Sequence, residues 1–346
     1  MKYKKKQILG ILLSAILILN LLTGCTSAVQ KKKEGVFTIL TSFYPMYIIA
    51  LNITDGAENV EIRNLANPST GCLHDYQMKP TDMVNMEQND VMIINGAGME
   101  EFLEDAQKGI ENLHIIDATQ GLSLLASEEV HSHDHDHEES DHEHGEEADV
   151  HEEEHSHEEH GHDHSHGEYN AHAWLSTDLY QQQVMLVAEE LAKANPENAT
   201  LYKENAQKYI EKIRSLSELI KEMRPLTEGK KIVVFHEAFA YLAKELGMEV
   251  IESLEVESDA GLSAGQIRHL IDEVKDSGAD LLLSEKQYSG NIGHTIENET
   301  GIKDITLDSC VSGKMEKDSY LKAMEDNLRI LKEALSNESQ LRIPLH

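Results

Sequence analysis

The sequence predicts an α/β protein: two lobes with parallel-type sheets, joined by one long helix. Three observations predict it. Short β-rich runs alternate with amphipathic stretches over residues 36–175 and again over 226–346, the signature of parallel sheets covered by helices. Between these halves, Pro196 to Arg224 contains no helix breaker and carries an apolar residue every three or four positions. The chain has 346 residues, enough for about two domains.

The elements follow in order. Val36–Thr41, VFTILT, reads as a strand, and SFYPMYIIALNITDG as a helix ending near Gly56. Val60–Leu65 alternates like a second strand, and Pro80 ahead of Thr81 and Asp82 marks a helix start. Val91–Asn95, VMIIN, is a buried strand running into GAG; residues 100–109 read as helix and His114–Asp117 as strand. Ser176 or Thr177 caps a helix reaching about Ala194, and Asn195-Pro196 opens the next, with proline where its missing N–H costs little. That helix, over 196–224, is 29 residues, roughly 43 Å at 1.5 Å per residue. It either spans both lobes as a stiff strut or packs along one of them. Past Pro225, strands are expected at Lys231–Phe235, Glu249–Ile251, Asp280–Ser284 and Ile305–Asp308, with helices at 236–247, 263–278, 291–301 and 318–336.

The first residues, MKYKKKQILGILLSAILILNLLTGC, carry a basic start at Lys2, Lys4, Lys5 and Lys6 and an apolar core from Ile8 to Leu22, shorter than a typical membrane span. Leu22-Thr23-Gly24-Cys25 resembles a bacterial lipobox. The resemblance implies a signal peptide over 1–24, lipidation of Cys25, a tether over 25–35 and an extracytoplasmic protein anchored to the cell membrane. In such an oxidising compartment Cys72 and Cys310 can pair as a disulfide.

The formal charge is −33, and the stretch from His131 to Gly167 holds thirteen histidines and fifteen carboxylates with no lysine or arginine. So acidic a chain repels phosphate, which excludes nucleic acid as a partner and favours cations. A segment with almost no apolar surface cannot offset the entropy of ordering. Residues 128–168 therefore read as a disordered loop, and its imidazoles and carboxylates as ligands for zinc and similar divalent metals.

Within the folded part, four candidate ligands stand out. His74 follows the second strand in TGCLHDYQMKP, His172 lies in NAHAWLS just ahead of a helix, His236 directly follows KIVVF, and Asp308 ends the last strand in ITLDSC. Three of the four sit at carboxyl ends of strands, where open α/β sheets bind ligands. Two come from each half, which puts a joint site in the cleft. His114, His269, His294 and His346 read as ordinary surface positions.

The segments TSFYPMYIIALNITDG, HDYQMKPTDM, INGAGMEEFL, NAHAWLS, VFHEAFAYLAKELG and SEKQYSGNIGHTIENETG resemble, in order, the substrate-binding lipoproteins of bacterial ABC-type zinc and manganese importers. The resemblance implies two α/β lobes, 36–175 and 226–346, joined through a helical region 176–225 by a rigid helix, with metal in the cleft. It implies a permease and ATPase complex as partner. The family's three first ligand positions fall on His74, His172 and His236, and its terminal aspartate on Asp308. Manganese-type relatives carry a carboxylate at the third position. His236 there points to Zn(II) over the harder Mn(II). The fourth position falls to Asp308, Glu285 or water. Some zinc-type relatives place a carboxylate directly before the first histidine, where this chain has Leu73, which favours Asp308. Cys72 and Cys310 each lie two residues from a proposed ligand, so they either bond across the cleft, remain free thiols, or Cys72 itself joins the metal.

Two other classes compete with zinc capture for an importer. A secreted zinc hydrolase needs an open coordination position and a base, for which Glu237 is available; no His-Glu-x-x-His pattern accompanies it. A surface adhesin or metal-scavenging module would use the same site without a transporter.

Overall fold

The structure is a computed structural model. It describes residues 34–74, 76–103, 110, 113–127, 168–254, 262–286 and 292–341. The leader with Cys25, most of the helix expected over 100–109 and the histidine-rich stretch over 128–167 lie outside the described residues.

The first half holds β1 (Phe37–Thr41), α1 (Tyr44–Ile53), β2 (Val60–Asn64), α2 (Pro80–Glu87), β3 (Val91–Ile94) and β4 (His114–Asp117). Its four strands pair in parallel in the order β2-β1-β3-β4. The second half holds β5 (Lys231–Val234), α5 (Ala240–Leu246), β6 (Glu249–Ser253), α6 (Ala264–Ser277), β7 (Leu281–Glu285), α7 (Ile292–Thr300), β8 (Lys303–Leu307) and α8 (Ser319–Leu341). Its sheet repeats the same order, β6-β5-β7-β8, again parallel. Each sheet thus changes winding direction beside its first strand, between β1 and β3 and between β5 and β7. Ligands bind at such reversals in open α/β sheets.

Between the halves run α3 (Thr177–Ala194) and α4 (Ala199–Thr227), the latter of 29 residues. Ser176 caps α3, its hydroxyl accepting the Leu179 N–H at 3.1 Å. The long helix is a strut and not a helix confined to one half. Near its start, the Asn205 amide donates to the Ile53 and Asp55 carbonyls of the first half. At its end, the Thr227 hydroxyl donates to the Leu246 carbonyl of the second at 2.6 Å. The helix also outruns its expected stop. Pro225 sits inside the last turn, and the buried Thr227 carries the chain one step beyond it before Glu228 ends the helix. A proline so close to the end removes one hydrogen bond but has little helix after it to disrupt. The helix expected after His236 also differs: it opens as a tight 3-10 turn over Glu237–Phe239 before α5 begins. Gly247 then ends α5 with φ of 71°, a left-handed position where a Cβ would also press on the Arg224 guanidinium.

Buried side chains from both sheets, from α3 and from α4 form one continuous apolar cluster, running from Ile39 and Ile93 through Trp174 and Tyr202 to Ile232 and Leu307. Hydrogen bonds cross the same boundary. The Trp174 indole N–H donates to the Ser309 carbonyl at 2.8 Å, and the Tyr320 hydroxyl to the Trp174 carbonyl at 2.8 Å. Tyr44 and Asn52 of α1 donate to the Lys314 and Lys317 carbonyls. A dry, hydrogen-bonded junction of this kind holds the halves in one arrangement. Trp174→Phe removes the indole donor from the Ser309 carbonyl inside that junction. It is expected to lower the unfolding free energy by about 1–3 kcal/mol in urea titration.

Candidate metal centre

Three segments of chain deliver four side chains to one point. The loop after β2 brings Cys72 and His74. Between them Leu73 is fully buried in the apolar cluster, and the Tyr76 N–H closes a turn onto its carbonyl at 2.9 Å. With Leu73 facing the core, its two neighbours turn to the opposite side, toward the cleft. His172 enters at the 3-10 turn Ala173–Leu175 that precedes α3. His236 lies two residues past β5, in extended backbone, and both it and His172 are only 1% exposed.

The donor atoms of Cys72, His74, His172 and His236 all lie within 4.8 Å of one another. The Nε2 atoms of His172 and His236 face each other at 3.2 Å, and Cys72 Sγ is 3.3 Å from His172 Nε2. His74 rounds out the set, with ring centroids 5.3 Å from His172 and 5.6 Å from His236. Its edge is partly open to solvent while its Nε2 atom is buried.

The surroundings choose which nitrogen offers its lone pair. Asn170 Oδ1 accepts the His172 backbone N–H at 2.9 Å and lies 3.1 Å from His172 Nδ1. A carbonyl oxygen can only accept, so Nδ1 carries the proton and Nε2 is left with its lone pair toward the cluster. Glu237 stands behind the same nitrogen, its carboxylate 3.9 Å from His172 Nδ1, and its carbonyl accepts the Asn170 amide at 2.9 Å. Partners of this kind orient the imidazoles of metal sites. Glu237, the base that the hydrolase reading would use, stands on the Nδ1 side of the His172 ring.

A second network sets the depth of His172. The Asn95 amide donates to the Ala171 carbonyl at 2.8 Å, and Gln183 of α3 donates to Asn95 at 3.0 Å. The buried Glu100 carboxylate accepts the Asn95 and Gly96 N–H groups at 2.8 and 2.9 Å. Burial pushes Glu100 up to about 7 in spite of those bonds. Gly96 has φ of 84°, and a Cβ there would fall 2.0 Å from Asp117 Oδ1. The INGAGMEEFL segment is thus a bracket that carries the end of β3 to the His172 turn. Asn170, Asn95 and Glu100 were not singled out from sequence, where a lone buried amide or acid leaves no signal beyond that motif.

Asp308 is not among the four members of this cluster. Its Oδ1 accepts the Cys310 N–H at 2.8 Å and its Oδ2 is 3.4 Å from Lys286 Nζ. Asn327 grips its backbone on both sides, accepting the N–H at 2.8 Å and donating to the carbonyl at 2.7 Å. The carboxylate is occupied in shaping the turn at Cys310, whose φ is 58°, a left-handed conformation that a short polar side chain two residues earlier stabilises. Glu285, the last residue of β7, is buried alongside His236 and is likewise outside the four. In the structure Cys72 and Cys310 are not bridged to each other: Cys72 Sγ packs on Met99 Sδ at 3.7 Å and on His172, while Cys310 donates to the Asp308 carbonyl. His269 and His294 pair with Glu273 and Glu297 on exposed helix faces, away from the site.

Burial depresses the His172 proton affinity well below the usual imidazole value, and the neighbouring His236 and His74 push the same way. The Cys72 thiol is pushed up by burial, opposed by its hydrogen bond to His236 and reinforced by the nearby Glu285 charge.

A cluster of three imidazoles flanked by a thiol, at the junction of two parallel sheets, agrees with the comparisons to known proteins. Residues 39–334 match the family described as zinc-uptake complex component A, periplasmic. The chain belongs to this family. The high-affinity zinc uptake system protein ZnuA of Bacillus subtilis (strain 168) is 29% identical over 304 residues, covering 86% of this chain and 87% of that protein. The zinc-binding lipoprotein AdcA of Streptococcus pneumoniae (strain R6) is 27% identical over 333 residues, or 94% of this chain, which spans only 61% of that relative's length. Among solved structures, the SBP FpvC of Pseudomonas aeruginosa in complex with Ni2+ superposes with a TM-score of 0.68 at 23% identity, over 88% of this chain and 98% of that one. It shares the fold.

Two measurements follow from the geometry. Trp174 is the single tryptophan of the chain, with its ring centroid 5.1 Å from that of His172. Addition of zinc to metal-free protein is expected to change its fluorescence with saturation near one ion per chain, and His74→Ala to shift that titration to higher zinc. The depressed His172 has a stability consequence with a definite sign. The unfolded chain takes up a proton near pH 6.5 that the folded chain refuses. Glu100, held at about 7, works in the opposite sense over the same range, so the His172 share is read as a difference: the stability of metal-free wild type relative to His172→Gln is expected to fall as pH drops from about 7 to 5 in urea unfolding.

Proposed function

We propose that this protein captures Zn(II) outside the cytoplasm and delivers it to the permease and ATPase complex of an ABC-type importer. The observation that carries the reading is the convergence of His74, His172 and His236, from both halves and the connection between them, on one buried point. Zinc is the cargo. Imidazole nitrogens suit it better than Mn(II), which prefers carboxylate and carbonyl oxygen. Family membership and the zinc named for the relatives in B. subtilis and S. pneumoniae support the same assignment.

The remaining parts of the reading fit this role. Lipidation at Cys25 tethers the protein to the outer face of the cell membrane, next to the permease. The histidine-rich stretch over 131–167 raises the local zinc concentration. The described residues that flank it meet at the Ala126–Tyr169 bridge, close in sequence to His172. Its root is joined to the metal centre: the Tyr241 hydroxyl accepts the Leu125 N–H at 3.0 Å and donates to the Asn170 carbonyl at 2.7 Å.

Elemental analysis of full-length protein is expected to give one tightly held zinc plus weaker equivalents. Deleting residues 131–167 removes the weaker ions and keeps the tight one, while His74→Ala or His236→Ala does the reverse. In cells, gene deletion is expected to lower uptake of labelled zinc; unchanged uptake would leave adhesion or scavenging as the better account.

A further inference from the structure

We propose that Cys72 is the fourth zinc ligand, so that the cargo is closed in a shell of three imidazoles and one thiolate, and that this sulfur sets the preference for zinc over harder ions. The proposal rests on the reading of His74, His172 and His236 as zinc ligands and adds to it the donor that completes the set.

The geometry argues for it directly. A tetrahedral zinc with Zn–N of 2.0–2.1 Å and Zn–S of 2.3 Å requires N···N edges of about 3.3–3.4 Å and N···S edges of about 3.5–3.6 Å. The His172–His236 edge is 3.2 Å and the Cys72–His172 edge is 3.3 Å. Both are within about 0.3 Å of the required values, so little rearrangement is needed on binding. The thiol is also aimed by the fold. Leu73 is locked in the core, and Cys72 and His74, one on each side of it, share the cleft-facing side.

Neither carboxylate that competes for the fourth position is among the four mutually close donors. Asp308 serves the Cys310 turn and Lys286, and Glu285 stays outside the four mutually close donors. Four protein ligands and no open position are the marks of a zinc site that holds rather than reacts, as cargo requires. Thiolate is a soft donor that favours zinc strongly over Mn(II). On binding, the Cys72 S–H bond breaks heterolytically, the proton leaves to water, and the sulfur lone pair forms the Zn–S bond. Neither atom changes oxidation state.

Cobalt(II) is the probe, because a thiolate ligand gives it an intense near-ultraviolet charge-transfer band that imidazole and carboxylate do not. The full-length wild type, loaded with one tight Co(II), is expected to show the band, and Cys310→Ser to keep it. Cys72→Ser is expected to lose the band and to weaken zinc binding by more than the roughly 10–100-fold that loss of an outer-layer partner costs, with a smaller fall for Mn(II). Should Cys72→Ser fail to fold, alkylation of the wild type reads the same contact: zinc protects Cys72 and a chelator exposes it. A tight Co(II) without the band, a band that survives Cys72→Ser, or alkylation of Cys72 indifferent to zinc would overturn the proposal while leaving the three-imidazole site intact. A wild type that holds no tight ion would instead overturn the site itself.

Discussion

Everything in this molecule depends on keeping several imidazoles neutral while their lone pairs crowd together. Protonated rings this close would repel, and in water each would spend part of its time charged. Burial of His172 removes that option for the ring at the centre, since a charge taken out of water is costly. The Asn170 carbonyl then fixes where the one remaining proton sits on His172. A cluster of neutral donors is unfavourable without a cation, because polar atoms are desolvated without full compensation. The apolar cluster that spans both sheets supplies the cohesion that holds them in place.

The doubled sheet order explains why the cleft lies where it does. Each half ends its central strands at a reversal of winding, and the long helix sets these two ends against each other. In the proposed site the first half would supply Cys72, His74 and His172 and the second half His236, and zinc bonds tolerate length errors of only about 0.2 Å. Such a site demands a stiff junction, and Trp174, Tyr320 and Asn52 make one. A small relative displacement of the halves would then remove one donor of the four.

The fold was legible because its signals are local and repeated. Alternating strands and helices, the Ser176 cap, the unbroken stripe of the long helix and Gly247 all act within a few residues of themselves. The misses have physical reasons. Pro225 reads as a stop, yet a proline in a final turn has little helix left to interrupt. His74, His172 and His236 stand out from strand ends and from family resemblance, and the structure brings their rings together. The direction of the Asp308 carboxylate does not stand out, because it is set by Lys286, Asn327 and the left-handed Cys310 turn acting together in space. The same holds for Asn170, Asn95 and Glu100, whose importance lies wholly in contacts between segments distant in the chain. For Cys72 and Cys310, sequence allowed a bond, free thiols or a metal contact, and only the placement of Leu73 and the turn at Cys310 separates them.

The Ala126–Tyr169 bridge has an evolutionary consequence. Because the two stems of the histidine tract are stitched side by side, the residues between them can be added or lost without shifting the scaffold. For any flexible segment closed at such a stem, each doubling of length costs only about 0.6 kcal/mol of chain entropy. Tract length is therefore nearly decoupled from folding, and a lineage facing scarcer metal can extend its repeats by simple replication slippage with the scaffold left as it is.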